Sequence, residues 1–270
     1  MRKGAKETDN LVTLRYGEPV EFDGISVTAH NSGHILGSAQ YELSDGESSI
    51  VYTGDINCRE MLTTSPAEII RCDTLILETT YGSPSYVFPS TSDVYVRIIG
   101  WALDEIRKEK SPTFTVYSVG KAQEIIKIFN EFTNVPVVTS STVTKINEAY
   151  RKNGVHLKYA DYASKEGKES LEQPCINVVS PYEKPPVSDR CSYASATGWA
   201  MSRSKYSISF PLSGHADFNQ LVNYVRLTKP KEVLTVHGFK KEFANYLSKK
   251  LGIRAREIPP LKQGSLKSYL

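Results

Sequence analysis

The chain has 270 residues, 40% of them apolar and 23% charged, with four cysteines and a formal net charge of +3. That length supports one large domain or two interleaved ones with a full core, and no apolar run approaches the roughly 20 residues of a membrane span. Met1–Glu7 has no apolar stretch of the kind a secretory signal needs. Cys58, Cys72, Cys175 and Cys191 are too scattered for a zinc knuckle, so the expectation is reduced thiols in a cytoplasmic protein.

The first third reads as a β meander. Pro19–Phe22 and Ile25–Ala29 flank Asp23-Gly24, a hairpin-turn dipeptide. Gln40–Leu43 and Ser49–Tyr52 flank Ser44-Asp45-Gly46 in the same way. Asp73–Glu78 is a continuous apolar run ending in an acid, as expected of a strand covered on both faces.

The middle alternates strand and helix signals. A helix is predicted over Asp93–Lys110, a strand over Thr113–Tyr117, and a helix over Lys121–Phe132, where Ala122, Ile125, Ile126, Phe129 and Phe132 keep helical spacing. Val135–Val138 is a strand, Lys145–Lys152 a helix and Cys175–Val179 a strand, an order that implies a parallel sheet with crossover helices. Lys165–Pro174 and Tyr182–Asp189 read as loops. The end brings a strand at Tyr206–Phe210, a helix at Ala216–Leu227, a strand at Glu232–Val236 and a helix at Lys241–Leu251 stopped by Gly252. The predicted organisation is 1–85, an inserted α/β unit at 86–200, and 201–270. From Lys229 to Lys267 there are ten Lys or Arg against three Glu, either a surface for a phosphate backbone or a solvated helix face.

Short histidine and acid motifs sit at the predicted strand ends. They are Gly33-His34-Ile35-Leu36-Gly37-Ser38-Ala39, Tyr52-Thr53-Gly54-Asp55, Leu77-Glu78-Thr79-Thr80-Tyr81-Gly82, Ser213-Gly214-His215-Ala216-Asp217 and Val236-His237-Gly238. A hydrolytic zinc site needs imidazoles, carboxylates and an open position, and a carboxylate bridges two metals where an imidazole does not. Each motif alone is equally readable as a structural turn. Ser118-Val119-Gly120-Lys121-Ala122 follows a strand and opens a helix, a place where backbone N–H groups and a lysine gather round a phosphate. The plain alternative is an ordinary strand-to-helix turn. Trp199, in Ser195–Trp199, is either a platform for a base or a buried aromatic. His30 and His156 read as structural.

Taken in order, these motifs resemble the metallo-β-lactamase superfamily and, within it, the β-CASP nucleases. The resemblance runs from Tyr16 onward. It implies an α/β fold: a metallo-β-lactamase αββα sandwich, N-terminally incomplete, with an inserted β-CASP α/β domain. It implies that His34 and Asp55 are metal ligands, with Asp55 bridging, and that His237 completes the shell of a second zinc. His215 paired with Glu78 then acts as general acid or contacts the scissile phosphate, since a carboxylate beside an imidazole favours the protonated ring. Ser118, Gly120, Lys121 and Ala122 correspond to the element that meets the nucleic-acid backbone. A histidine at position 237 favours RNA over DNA.

The implied function is a zinc-dependent nuclease acting on RNA in processing or decay. The alternative is a catalytically degenerate RNA-binding subunit of a processing complex. The expected partners are RNA, with single-stranded DNA as a lesser candidate, no membrane, and either a second copy or a processing-complex subunit. The family's His-x-His-x-Asp-His cluster does not occur in the sequence. The expectation drawn from this is an N-terminally shortened nuclease, with apolar surface left bare and either reduced stability or dimerisation.

Overall fold

The computed structural model describes residues 12–185, 188–202 and 208–259. Met1–Glu7, Tyr206, and the basic residues Lys262 and Lys267 lie outside the described residues. Two sheets organise the chain. The first begins with β1 (Pro19–Phe22), β2 (Ile25–Asn31), β3 (Ala39–Ser44) and β4 (Ser49–Tyr52), paired antiparallel in sequence. Asp23 and Gly24 both take positive φ, 49° and 80°, the geometry a two-residue hairpin turn demands. β5 (Thr74–Glu78) then runs parallel to β4.

The chain next builds the second unit: α1 (Thr91–Arg107), β6 (Ser111–Thr115), α2 (Lys121–Phe132), β7 (Val137–Thr139), α3 (Ser141–Lys152), β8 (Ala160–Asp161), α4 (Lys165–Ser170), β9 (Ile176–Val179), β10 (Cys191–Ala196) and β11 (Ile208–Phe210). Its six strands are all parallel, in the order β11-β10-β6-β9-β7-β8. The chain then returns to the first sheet with α5 (Phe218–Thr228), β12 (Glu232–Val236), α6 (Lys240–Leu251) and β13 (Ala255–Glu257). The first sheet is ordered β1-β2-β3-β4-β5-β12-β13, so strands far apart in sequence, β5 and β12, lie side by side at its centre. The α/β class read from the sequence is the observed one.

Each sheet has its own core. In the first, Val51, Leu75, Leu77 and Val233 are fully buried together with Leu221 and Val225 of α5 and Phe243 and Leu247 of α6. In the second, Phe114, Ile125, Phe129 and Ile176 are fully buried. The opposite face of the first sheet is apolar and uncovered among the described residues. Register puts Tyr41 beside Tyr52 and Phe22 beside Ile25, and all four are 37% exposed or more. No described helix is long and apolar enough to cross a membrane.

Several elements differ from the sequence expectation. α1 starts at Thr91 because the Ser90 hydroxyl accepts from the Asp93 N–H and caps it. β6 ends at Thr115, freeing Tyr117 to turn into α2. α4 occupies a stretch expected to be loop: Ser164 caps it, and its six polar residues carry no apolar period to betray it. β10 reads Cys-Ser-Tyr-Ala-Ser-Ala, with no branched apolar residue, yet it lies inside the second sheet between β6 and β11. Its strand character comes from its neighbours and not from its own composition.

Candidate active site

Every motif residue sits in a turn at a strand end. The His34 turn joins β2 to β3. Gly33 has φ 72°, and a Cβ there would stand 2.4 Å from the Asn57 carbonyl oxygen, so no side chain fits. The Ser38 hydroxyl donates to the Ile35 carbonyl at 2.8 Å and closes the loop. Asp55 follows β4 after Gly54, at φ 54°. Glu78 ends β5, and His215 lies in the turn between β11 and α5. Asp217, 1% exposed, fixes that turn: it caps α5 through the Gln220 N–H and pairs with Arg59 at 2.7 Å.

These turns bring His34, Asp55 and His215 into one group, with one ligand atom from each lying within 4.8 Å of the others. His34 Nε2 is 3.8 Å from Asp55 Oδ2, and the two imidazole centroids are 4.4 Å apart. His34 Nδ1 meets the Gly214 carbonyl at 2.8 Å. A carbonyl only accepts, so Nδ1 carries the proton and Nε2 keeps its lone pair toward Asp55. Burial, then repulsion from His215, lowers the His34 pKa and favours that neutral ring. His34 and Asp55 offer an imidazole and a carboxylate of the kind a zinc-like ion takes, with the His215 imidazole beside them.

Glu78 is 1% exposed and fully engaged. It takes His215 Nδ1 at 3.0 Å, the Thr80 N–H at 2.7 Å and the Ile56 N–H at 3.2 Å. Burial pushes its carboxyl up, but the His215 hydrogen bond and charge, with Thr80, outweigh that and hold it below the usual carboxylate range. His215 is thereby oriented, with Nε2 left for the cleft.

His237 stands apart. It is exposed at the end of β12, its φ is 56°, and its carbonyl accepts the Thr79 hydroxyl at 2.6 Å. Val236 pairs with Glu78, which puts His237 beside the group but not in it. His30 bridges Glu42 and Glu68 at 3.2 Å each, outside the group.

The second sheet supplies the opposite wall. A cavity of about 510 Å³ is lined by His34 and His215 together with Ser118, Lys121 and Trp199. Gly120, at φ 82°, packs so tightly on Ile35 that a Cβ would come within 2.4 Å of its side chain. The N–H groups of Gly120, Lys121 and Ala122 are taken by Gln123 Oε1 and the carbonyls of Val119 and Tyr117. What the turn offers the cleft is therefore the Lys121 ammonium and the Ser118 side chain. Burial pushes the Lys121 pKa down to about 8, against the pull of Glu124.

Glu124, in the first turn of α2, does different work. It is 2% exposed and accepts from the Leu62 and Thr63 N–H groups, the Thr63 hydroxyl and the Tyr95 hydroxyl. It ties α2 and α1 to the loop that follows Asp55. Sequence reasoning missed this clamp and the orienting Gly214 carbonyl. A glutamate directly before the apolar pair Ile125-Ile126 was the available sign of the first, and backbone acceptors leave no sign.

Parts of the chain match known protein families. Residues 2–71 match the metallo-beta-lactamase superfamily domain, and residues 206–256 match the Zn-dependent metallo-hydrolase RNA specificity domain. The two matched segments place metallo-β-lactamase-type domains in this chain. It is 33% identical over 266 residues to a probable DNA ligase of Opitutus terrae, covering 95% of this chain and 26% of that protein. It is 28% identical to an RNase J-like protein of Methanocaldococcus jannaschii, covering 97% of this chain and 61% of that protein. A 31% match to RNase aCSPSF2 of Saccharolobus solfataricus covers 47% of this chain and 26% of that protein. The chain thus spans between a quarter and three fifths of these relatives. A protein of unknown function from Enterococcus faecalis shares the fold, with a TM-score of 0.65 at 15% identity over 93% of this chain and 66% of that one.

Proposed function

We propose that this protein is a zinc-dependent phosphodiesterase of the β-CASP type, acting on RNA in processing or decay, in the cytoplasm. One observation carries the reading: His34 and His215, which stand with Asp55 in one group, line a single cavity with Lys121. His34, Asp55 and His237 are the residues that would hold zinc. Zinc, when bound, polarises a phosphoryl oxygen and makes water acidic enough to deprotonate near neutrality.

The side chains do the rest. Lys121 and Ser118, in the turn that runs to Ala122, hold a phosphate oxygen and place the phosphorus over His34 and Asp55. His215, aligned by Glu78, presents Nε2 to the leaving oxygen and gives it a proton. The Gly214 carbonyl fixes the His34 ring so that its lone pair stays directed inward. The same proposal treats 86–200 as a unit inserted between 1–85 and 201–270, with β11 carrying its sheet on to Phe210. The RNA specificity match at 206–256 and the RNase relatives support RNA as the substrate.

The test is cleavage of a labelled single-stranded RNA together with zinc content by atomic absorption, on the wild type, His34→Ala and His215→Ala. Bound zinc and cleavage that both fall in His34→Ala support the reading. RNA bound without zinc and without cleavage would instead favour a non-catalytic RNA-binding subunit.

A further inference from the structure

We propose that Tyr117 and Trp199 form a nucleobase subsite at the mouth of the cleft. It stacks the base next to the phosphate held by Lys121 and so selects single-stranded substrate. The inference rests on the reading of the cleft as a nucleic-acid site.

Topology places the two rings together. β6 and β10 are parallel neighbours, with Thr115 paired to Ser195. Both strands leave the sheet at the same edge, so Tyr117 and Trp199 emerge side by side, and both line the cavity that holds Lys121.

Packing does not account for Tyr117. It is 67% exposed, whereas Phe114 on the strand before it is fully buried. Trp199 is mounted differently. It rests on Tyr81 at 4.8 Å and meets Tyr86 edge-on at 5.4 Å, yet stays 38% exposed toward the cleft. Gly198 permits this mounting, since a Cβ there would stand 2.5 Å from the Tyr81 ring. A rigid, half-covered indole offers one open face and loses little conformational freedom when a base covers it. Isolated exposed aromatics are common on protein surfaces. Two of them in one cavity beside a lysine form the combination of stacking surface and backbone charge that holds single strands. Bases inside a duplex already have both faces covered and have none to offer.

The experiment is fluorescence anisotropy at fixed salt with the whole chain. The ligands are a phosphorothioate-linked oligouridylate, which stays uncut, and the same strand with abasic positions. The variants are Tyr117→Ala, Trp199→Ala, Tyr117→Phe and Trp199→Phe. Each alanine variant is expected to bind the intact strand roughly five- to a hundredfold more weakly, while the phenylalanine variants stay within about twofold. The wild type should bind the abasic strand as weakly as the alanine variants bind the intact one. Equal wild-type affinity for both strands, or unchanged affinity in Tyr117→Ala, overturns the subsite while leaving the nucleic-acid reading in place. A wild type that binds neither strand overturns both. Tyr117 is exposed, so its alanine variant keeps the test decisive if Trp199→Ala fails to fold.

Discussion

Removing the Glu124 side chain strips four donors of their acceptor at once. The Leu62 N–H at 2.9 Å, the Thr63 N–H at 3.1 Å, the Thr63 hydroxyl at 2.6 Å and the Tyr95 hydroxyl all converge on it, and the residue is 2% exposed. A buried donor left unpaired costs about 1–3 kcal/mol, and the two hydroxyls can turn elsewhere while the two amides cannot. Glu124→Ala should therefore destabilise the protein by about 3–5 kcal/mol, the range for opening a buried polar network. At this chain length each kcal/mol lowers the midpoint by about 2–4 °C, so calorimetry should record a drop of about 6–20 °C. Glu124→Gln keeps one acceptor oxygen and should fall between that variant and the wild type. A drop under about 2 °C for Glu124→Ala would mean that water reaches these amides and that the clamp is not a buried network.

Other perturbations separate the roles proposed for individual residues. If His237 is a zinc donor and His215 the proton donor, His237→Ala loses bound zinc, whereas His215→Ala keeps it and loses about 10²–10⁴-fold in cleavage rate. The reverse pattern in atomic absorption would make His215 the ligand that its position beside His34 and Asp55 allows. Lys121→Met should weaken RNA binding and reduce the slope of log K against log salt by about 0.7, read from a salt titration; an unchanged slope would take Lys121 off the phosphate. Gly33→Ala forces a Cβ to 2.4 Å from the Asn57 oxygen at φ 72°, and should cost about 2–4 kcal/mol in a urea melt.

Much of the first sheet was legible because its turns are chemically marked. Asp23-Gly24 and Ser44-Asp45-Gly46 bracket strands whose apolar residues repeat with period two. α2 was legible in its bounds, and Ala122, Ile125, Ile126 and Phe129 face one core, while Phe132 at its end is 57% exposed. β10 was not, because an interior strand of serines and alanines owes its conformation to β6 and β11. The candidate site was half legible. His34, Asp55 and His215 converge as a group, but nothing in Val236-His237-Gly238 says that His237 faces outward with positive φ. Likewise no residue type announces that the Gly214 carbonyl sets the His34 tautomer, or that Gln123 takes the Gly120 amide from the phosphate turn.

The two walls of the cleft have separate origins. The imidazoles and carboxylates stand on the first sheet and its flanking turns, while Tyr117, Lys121 and Trp199 stand on the second. Glu124, the Gly120–Ile35 contact, the Leu36 N–H on the Tyr150 hydroxyl and the Trp199 ring on Tyr81 set the phase between them. Chemistry and grip are therefore transplantable parts. A chimera that exchanges the second sheet but keeps those joints should inherit a new hold on its substrate and leave the hydrolytic half as it was.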